Sequence, residues 1–274
     1  MEVIKVAEHL SMKTTRFLST TIALALVSIA PRASAVIYDL NATGTVIVPT
    51  VYGDAIFTVD YTQPAGTGVF DPFLTIQANG VEQGYNSSTS NFDTKREPQW
   101  NHELQLSDLT TTTVNGVEYY SFLLDINEPN STTTSMISLD VLKIFTASSL
   151  QGAVSDVETL GTKRFDLDLP VDGYIKYDDL NSGSGQADIA FFIPTASFLT
   201  GPNAASGSDY VYMYQQFGSN YSANTSLTSQ GGFEETRLGA ASFTPVPEPS
   251  AFIPLLTVLG AVIAGPLVRR RMRV

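Results

Sequence analysis

The side chains of this chain that could do chemistry are mainly carboxylates standing at turns. Asp125, Asn127, Glu128 and Asp140 bracket a Ser/Thr-rich loop, and Asp166, Asp168, Asp172, Asp178 and Asp179 lie around strand-like runs. Hard cations such as calcium take carboxylate and carbonyl oxygens. The two-residue repeat of a strand turns Asp125 and Asn127 to one side, and Asp166 and Asp168 likewise. Asp125, Asn127, Glu128 and Asp140 are therefore the candidate calcium ligands, and calcium is the one cofactor these residues suggest. Neither group follows the EF-hand loop or the Gly-Gly-x-Gly-x-Asp repeat. Ordinary turn chemistry, in which Asp and Asn close their own backbone, competes with the calcium reading. Paired carboxylates such as Asp166 with Asp168 could also serve a glycoside hydrolase, but the separation that defines that chemistry is not fixed by sequence.

Other catalytic routes are poorly supplied. The chain has no cysteine, which excludes disulfides, thiolate zinc sites and cysteine nucleophiles. Of its two histidines only His102 lies beyond the N-terminal targeting segment, and no Gly-x-Ser-x-Gly elbow accompanies it. Beside Trp100 and Asn101, it reads as a loop or strand-edge residue. Asn181-Ser182-Gly183-Ser184-Gly185 lacks the lysine of a phosphate loop and reads as a turn. The expectation is a non-enzymatic protein.

The elements that must position these residues are short strands. Runs at Thr45–Val48, Ala55–Tyr61, Phe73–Ala78, Glu103–Leu106, Glu118–Ile126, Ile137–Phe145, Gly173–Tyr177, Ala187–Phe192 and Tyr210–Gln215 are separated by polar turns. Asn115-Gly116 is a two-residue hairpin signal, and Asn79-Gly80 marks another turn. A short helix fits between Ala147 and Gly161. The pattern predicts an all-β body, an antiparallel sandwich or jelly roll, over residues 36–243. In Tyr210-Val211-Tyr212-Met213-Tyr214, strict alternation gives one tyrosine face and one apolar face. A strand with one core face is the plain reading; an aromatic platform for sugar rings, with Trp100 contributing, is the sharper one.

The two ends read as addresses. Lys13 and Arg16 precede an apolar stretch from Phe17 to Ala30, and Ala33-Ser34-Ala35 offers small residues at the positions a signal peptidase inspects. Residues 1–35 are thus a secretory signal with cleavage expected after Ala35; Met12 is an alternative start. At the other end, the 18 residues Ala251–Val268 carry no charge and are followed by Arg269, Arg270, Arg271 and Arg273. At about 1.5 Å per residue the run spans about 27 Å, close to the roughly 30 Å of a bilayer's hydrocarbon core. Guanidinium groups there suit a stop at the cytoplasmic face.

Between the ends the charge is one-sided. Residues 36–247 hold seven of the 15 basic residues and 24 of the 27 acidic ones, a net charge near −17. Phosphate binding needs clustered cations, so nucleic acid is not an expected partner.

Val246-Pro247-Glu248-Pro249, the apolar run and the terminal arginines, in that order, resemble the PEP-CTERM sorting signal of Gram-negative bacteria, here residues 244–274. The resemblance implies recognition by an exosortase in the inner membrane, cleavage near Pro247–Pro249, and delivery to the cell surface or exopolysaccharide matrix. A GPI signal lacks the basic cluster, and no Leu-Pro-x-Thr-Gly sortase box is present. The body has a likeness of its own. Gln63–Gly68, Gln83–Asn86, Phe92–Lys95, Asn115–Tyr120, Asp125–Pro129, Ser138–Asp140, Asn181–Gly185 and Gly232–Glu235 resemble stretches of β-rich exported proteins bearing such tails. In those proteins a tryptophan tends to follow the Glu-Glu pair, where this chain has Thr236. The expected function is a surface or biofilm-matrix protein with a structural or adhesive role. A calcium-assisted, lectin-like module for exopolysaccharide is the alternative, and a glycoside hydrolase the third.

Overall fold

Strand Val117–Ile126 shows how the fold arises from its residues. Successive side chains of a strand point to opposite faces. Tyr120, Phe122, Leu124 and Ile126 enter the main core, while Tyr119 and Leu123 pack into a smaller apolar cluster on the other face with Ile56, Val114 and Phe192. Covered on both sides from Tyr119 onward, the strand carries apolar residues on both faces, with Ser121 and Asp125 buried among them on the second. A computed structural model describes residues 35–62, 70–129, 135–178, 186–219 and 227–239, all within the unit Ser34–Val274. Ala33, Gln63–Gly68, Asp179, Asn181–Gly185, the Val246–Pro249 motif, the apolar run and Arg269, Arg270, Arg271 and Arg273 lie outside the described residues.

Two seven-stranded sheets carry the fold. The first runs Val36–Asp39, Gly173–Asp178, Met136–Ala147, Tyr210–Phe217 and Glu82–Tyr85; Thr162–Asp166 joins Met136–Ala147, and Leu104–Gln105 joins Tyr210–Phe217. The second runs Thr45–Thr50, Gly53–Thr58, Ile189–Pro194, Val117–Ile126, Glu234–Leu238 and Leu74–Ile76, with Thr111–Val114 on Val117–Ile126. Among the described strands, pairing is antiparallel except between Val36–Asp39 and Gly173–Asp178. The all-β, antiparallel expectation holds, and strands form at every run singled out in the sequence.

One core joins the sheets. Ile137, Leu139, Ile144, Val211 and Met213 of the first meet Phe57, Phe122, Leu124 and Phe191 of the second. Phe191 stacks between Phe57, at 5.6 Å, and Phe122, at 5.1 Å between ring centroids. Thr236 crosses the interior, its hydroxyl donating to Gln215 Oε1 at 3.0 Å.

The hairpin at Asn115-Gly116 forms as expected, with Val114 opposite Val117 and both turn residues at positive φ, 51° and 81°. Those angles match the right-handed twist of the flanking strands. Asn79-Gly80 is more than the turn expected of it: it pairs as a two-residue strand with Ser229–Gln230. The helix expected between Ala147 and Gly161 shrinks to one 3-10 turn, Val157–Thr159. The rest of that segment lies over the tyrosine face, where Gln151 N donates to the Tyr212 hydroxyl at 2.8 Å and the Tyr85 hydroxyl donates to Gly152 O at 3.2 Å.

Truncating the stacked Phe191 to Ala should cost about 3–5 kcal/mol of folding stability. Val117→Ala, at a position 45% exposed, should stay within about 0.5 kcal/mol. Urea unfolding of the two variants checks the contrast.

Candidate functional site

The segment Gly232–Leu238 builds two sites at once, because neighbouring residues of a strand face opposite ways. Glu234 and Thr236 point into the sandwich and are fully buried, while Phe233 and Glu235 line a cleft on the outside. The entry to the strand is fixed by a close approach of backbones. A Cβ on Gly232 would lie 1.6 Å from Asn127 O, and Asn127 Nδ2 donates to Phe233 O at 2.9 Å. Only glycine fits there.

The opposite wall of the cleft is the loop at 95–100, pinned along the edge strand Leu74–Ile76. Lys95 N donates to Thr75 O at 3.1 Å and His102 N to Phe73 O at 3.0 Å. Asn101 is buried, its Nδ2 donating to Ser87 O at 2.7 Å. With Asn101 held inward, Trp100 is turned out and remains 39% exposed. The cleft between strand and loop has a volume of about 410 Å³ and is lined by Thr75, Lys95, Glu97, Gln99, Trp100, Phe233 and Glu235. That volume falls within the range of about 300–1,000 Å³ usual for small-molecule sites. The Lys95 ammonium sits 4.7 Å from the centre of the Phe233 ring, a cation–π contact. Burial pushes the Glu235 carboxyl above its ordinary range. Two aromatic rings, two carboxyls, an amide and an ammonium thus face one space.

Behind Glu235 lies a cluster of three buried carboxyls, Glu82, Glu128 and Glu234. Ala78 N donates to Glu82 Oε2 at 2.7 Å, and Gln230 N donates to both Glu128 oxygens, at 3.0 and 2.9 Å. Both Glu234 oxygens and Glu82 Oε1 find no fixed donor, and Glu234 lies against Glu82 and Glu128; carboxyls so placed can bond to one another only with a proton between them. Burial comes first among the causes that raise all three, followed for Glu234 by its two carboxyl neighbours. Glu128 is pushed up to about 7, and Glu234 well above the usual carboxylate range.

Asn127, Glu128 and Asp140, three of the four candidate calcium ligands, take separate partners. Asp125 is buried next to Ile126, whose N–H donates to Asp188 Oδ2 at 2.9 Å. Asn127 holds the Phe233 carbonyl, Glu128 belongs to the carboxyl cluster, and Asp140 accepts from Ser138 Oγ at 3.1 Å and Ser219 N at 2.6 Å. Among the described residues no group of three or more His, Asp or Glu side chains is placed to hold a metal ion. Asp166 is engaged by Lys163 at 2.8 Å and Lys143 at 4.0 Å, while burial, with Asp166 close by, raises Asp168 to about 6. His102 sits at the sheet edge as expected, its Nδ1 3.0 Å from Pro98 O. The tyrosine face is no open platform: Tyr212 and Tyr214 are buried with Tyr85, Phe145 and Leu160.

Sequence reasoning reached Trp100 but not its partners. Glu97 and Gln99 carry no motif, and Lys95, Phe233 and Glu235 were legible only as members of the Phe92–Lys95 and Gly232–Glu235 stretches. No family model matches the chain, and no curated protein or solved structure shows significant similarity to it. No helix among the described residues is long and apolar enough to cross a membrane.

Two outcomes follow from these placements. A carboxyl raised in the folded state binds protons that the unfolded chain gives up near pH 4.3, so stability falls as pH climbs from about 4.3 towards 7 and beyond. The urea midpoint should be lower at pH 8 than at pH 5, and Glu234→Gln should flatten that slope; a rising midpoint would contradict the shared-proton cluster. Because Asp125, Asn127, Glu128 and Asp140 diverge, thermal melts in calcium and in chelator should coincide. A calcium-dependent rise in Tm that Glu128→Gln abolishes would reinstate the ion.

Proposed function

We propose that this chain is an exported, non-catalytic adhesive protein of a Gram-negative cell surface or exopolysaccharide matrix, delivered there by an exosortase. A signal peptide over residues 1–35 takes it across the inner membrane, and a transmembrane helix over Ala251–Val268, stopped by Arg269, Arg270, Arg271 and Arg273, holds it until the Val246–Pro249 motif is processed. The observation that carries the adhesive reading is the outward cleft of Trp100 and Phe233 on a two-sheet scaffold. Recognition sites are commonly loops set on a rigid frame, and this cleft is half loop and half strand. Two further features agree. The first strand starts at Val36, directly after the expected cleavage point, and the body's acidity suits solubility outside the cell.

A hydrolase reading has one specific support, since Glu97 and Glu235 line the same cleft. Turnover separates it from adhesion. Oligosaccharides incubated with the full-length protein should gain no reducing ends; release that Glu235→Gln abolishes would make the protein an enzyme.

Mass spectrometry of the protein from its native cell, with fractionation, tests the export reading. The expected mature chain begins at Val36, ends near Pro247–Pro249 and appears in the surface or matrix fraction. Replacing Pro247, Glu248 and Pro249 together with alanine should leave it in the inner membrane. A cytoplasmic, water-soluble product with both ends intact would overturn the proposal.

A further inference from the structure

We infer that the cleft between the loop at 95–100 and strand Glu234–Leu238 is a binding site for a neutral hexopyranose unit of a polysaccharide, stacked on Trp100. The inference deepens the adhesive reading and rests on it.

A pyranose ring offers two kinds of surface: a face of C–H groups and a rim of hydroxyls. The face needs a flat apolar partner. Of the two aromatic side chains in the cleft, Phe233 already has the Lys95 ammonium 4.7 Å from its ring centre, which leaves Trp100 as the ring with a face to give. Its large π-surface supplies contact area at low cost in rotamer freedom. Trp100 is also the single tryptophan of the chain, and the burial of Asn101 beside it keeps the indole turned outward.

The rim needs hydrogen-bond partners at several angles. Glu97 and Glu235 accept from sugar hydroxyls, the Gln99 amide both donates and accepts, and the Lys95 ammonium donates. Bonds to charged groups are the stronger ones. The cleft volume of about 410 Å³ is in the range that takes a small ligand.

Charge selects among sugars. The cleft has two carboxyls against one ammonium, in a body whose net charge is near −17. Within a Debye length of roughly 8 Å at physiological salt such a field repels anions. Uronic acids and sulfated sugars are therefore poor ligands, and neutral hexoses good ones.

The tryptophan reports on its own site. Emission of the full-length protein should be titrated with neutral oligosaccharides built on glucose, galactose or mannose, and with oligogalacturonate. At least one neutral series should shift the emission saturably, and oligogalacturonate should not. Phe233→Ala, and separately Glu97→Gln at an exposed position, should weaken that neutral ligand about tenfold or more, the equivalent of about 1.4 kcal/mol, with Tm unchanged for Glu97→Gln. Trp100→Ala, followed by calorimetry, should abolish binding. The inference is overturned if no neutral oligosaccharide gives a saturable change, if binding survives Trp100→Ala, or if oligogalacturonate binds as well as the neutral sugars. These results leave the export reading standing, because that reading is judged by the termini and location of the mature chain.

Discussion

The alternation of side chains along Gly232–Leu238 is the constraint on which the rest of the site depends. Glu234 cannot be driven into the sandwich without turning Phe233 and Glu235 outward, and the wedge of Gly232 against Asn127 O fixes where that alternation begins. A slip of one residue would put a phenylalanine between the two remaining carboxyls, Glu82 and Glu128, and turn Glu234 out to solvent. The strand register is locked on both sides, since Glu235 lies opposite Asp125 in one neighbour and Thr75 in the other. The inner carboxyl cluster and the outer cleft are thus two faces of one decision about register.

That decision has an electrostatic side. Burying glutamates as carboxylates is costly, and burial pushes all three carboxyls upward, so the folded state favours their protonated forms. Glu82 enters from the first sheet, Glu128 from the end of Val117–Ile126, and Glu234 from the second sheet. Neutral carboxyls can donate as well as accept, so the three can bond to one another where ions would repel. The cluster therefore ties the two sheets together at this end, while the stack of Phe57, Phe191 and Phe122 lies along the core face of the second sheet alone.

The fold was largely legible because period two and turn residues speak locally. Val114-Asn115-Gly116-Val117 announced its hairpin, and Val211 and Met213 announced a core face. Long-range cover was not legible. Tyr212 and Tyr214 read as a half-exposed tyrosine face or, more sharply, an aromatic platform, but nothing in their own strand shows that the segment after Ala147 folds back over them. The acidic residues misled for a related reason. Asn127, Glu128 and Asp140 are close in sequence, yet their partners are remote: Phe233, Gln230 and Ser219. Glu82 meets the other two only because the sheets stack, and Glu234 meets Glu128 only because their strands pair. The cleft was half legible, through Trp100 alone, since its other wall comes from a stretch about 130 residues away, a pairing that only tertiary packing creates.

The two outer faces of the sandwich end differently, and that difference points to the cleft. On the first sheet the aromatic face is closed by its own chain: Tyr85, Tyr212 and Tyr214 are buried and their hydroxyls are occupied. On the second sheet an aromatic pair remains at the surface, and the loop that carries Trp100 is held off the strand by backbone bonds to Thr75 and Phe73 and by the buried Asn101. Trp100 thus stays partly in water beside a second ring of the same cleft. Holding that ring in place beforehand lowers the ordering cost of binding. In this chain the strand and the pinned loop shape the cleft before any ligand arrives.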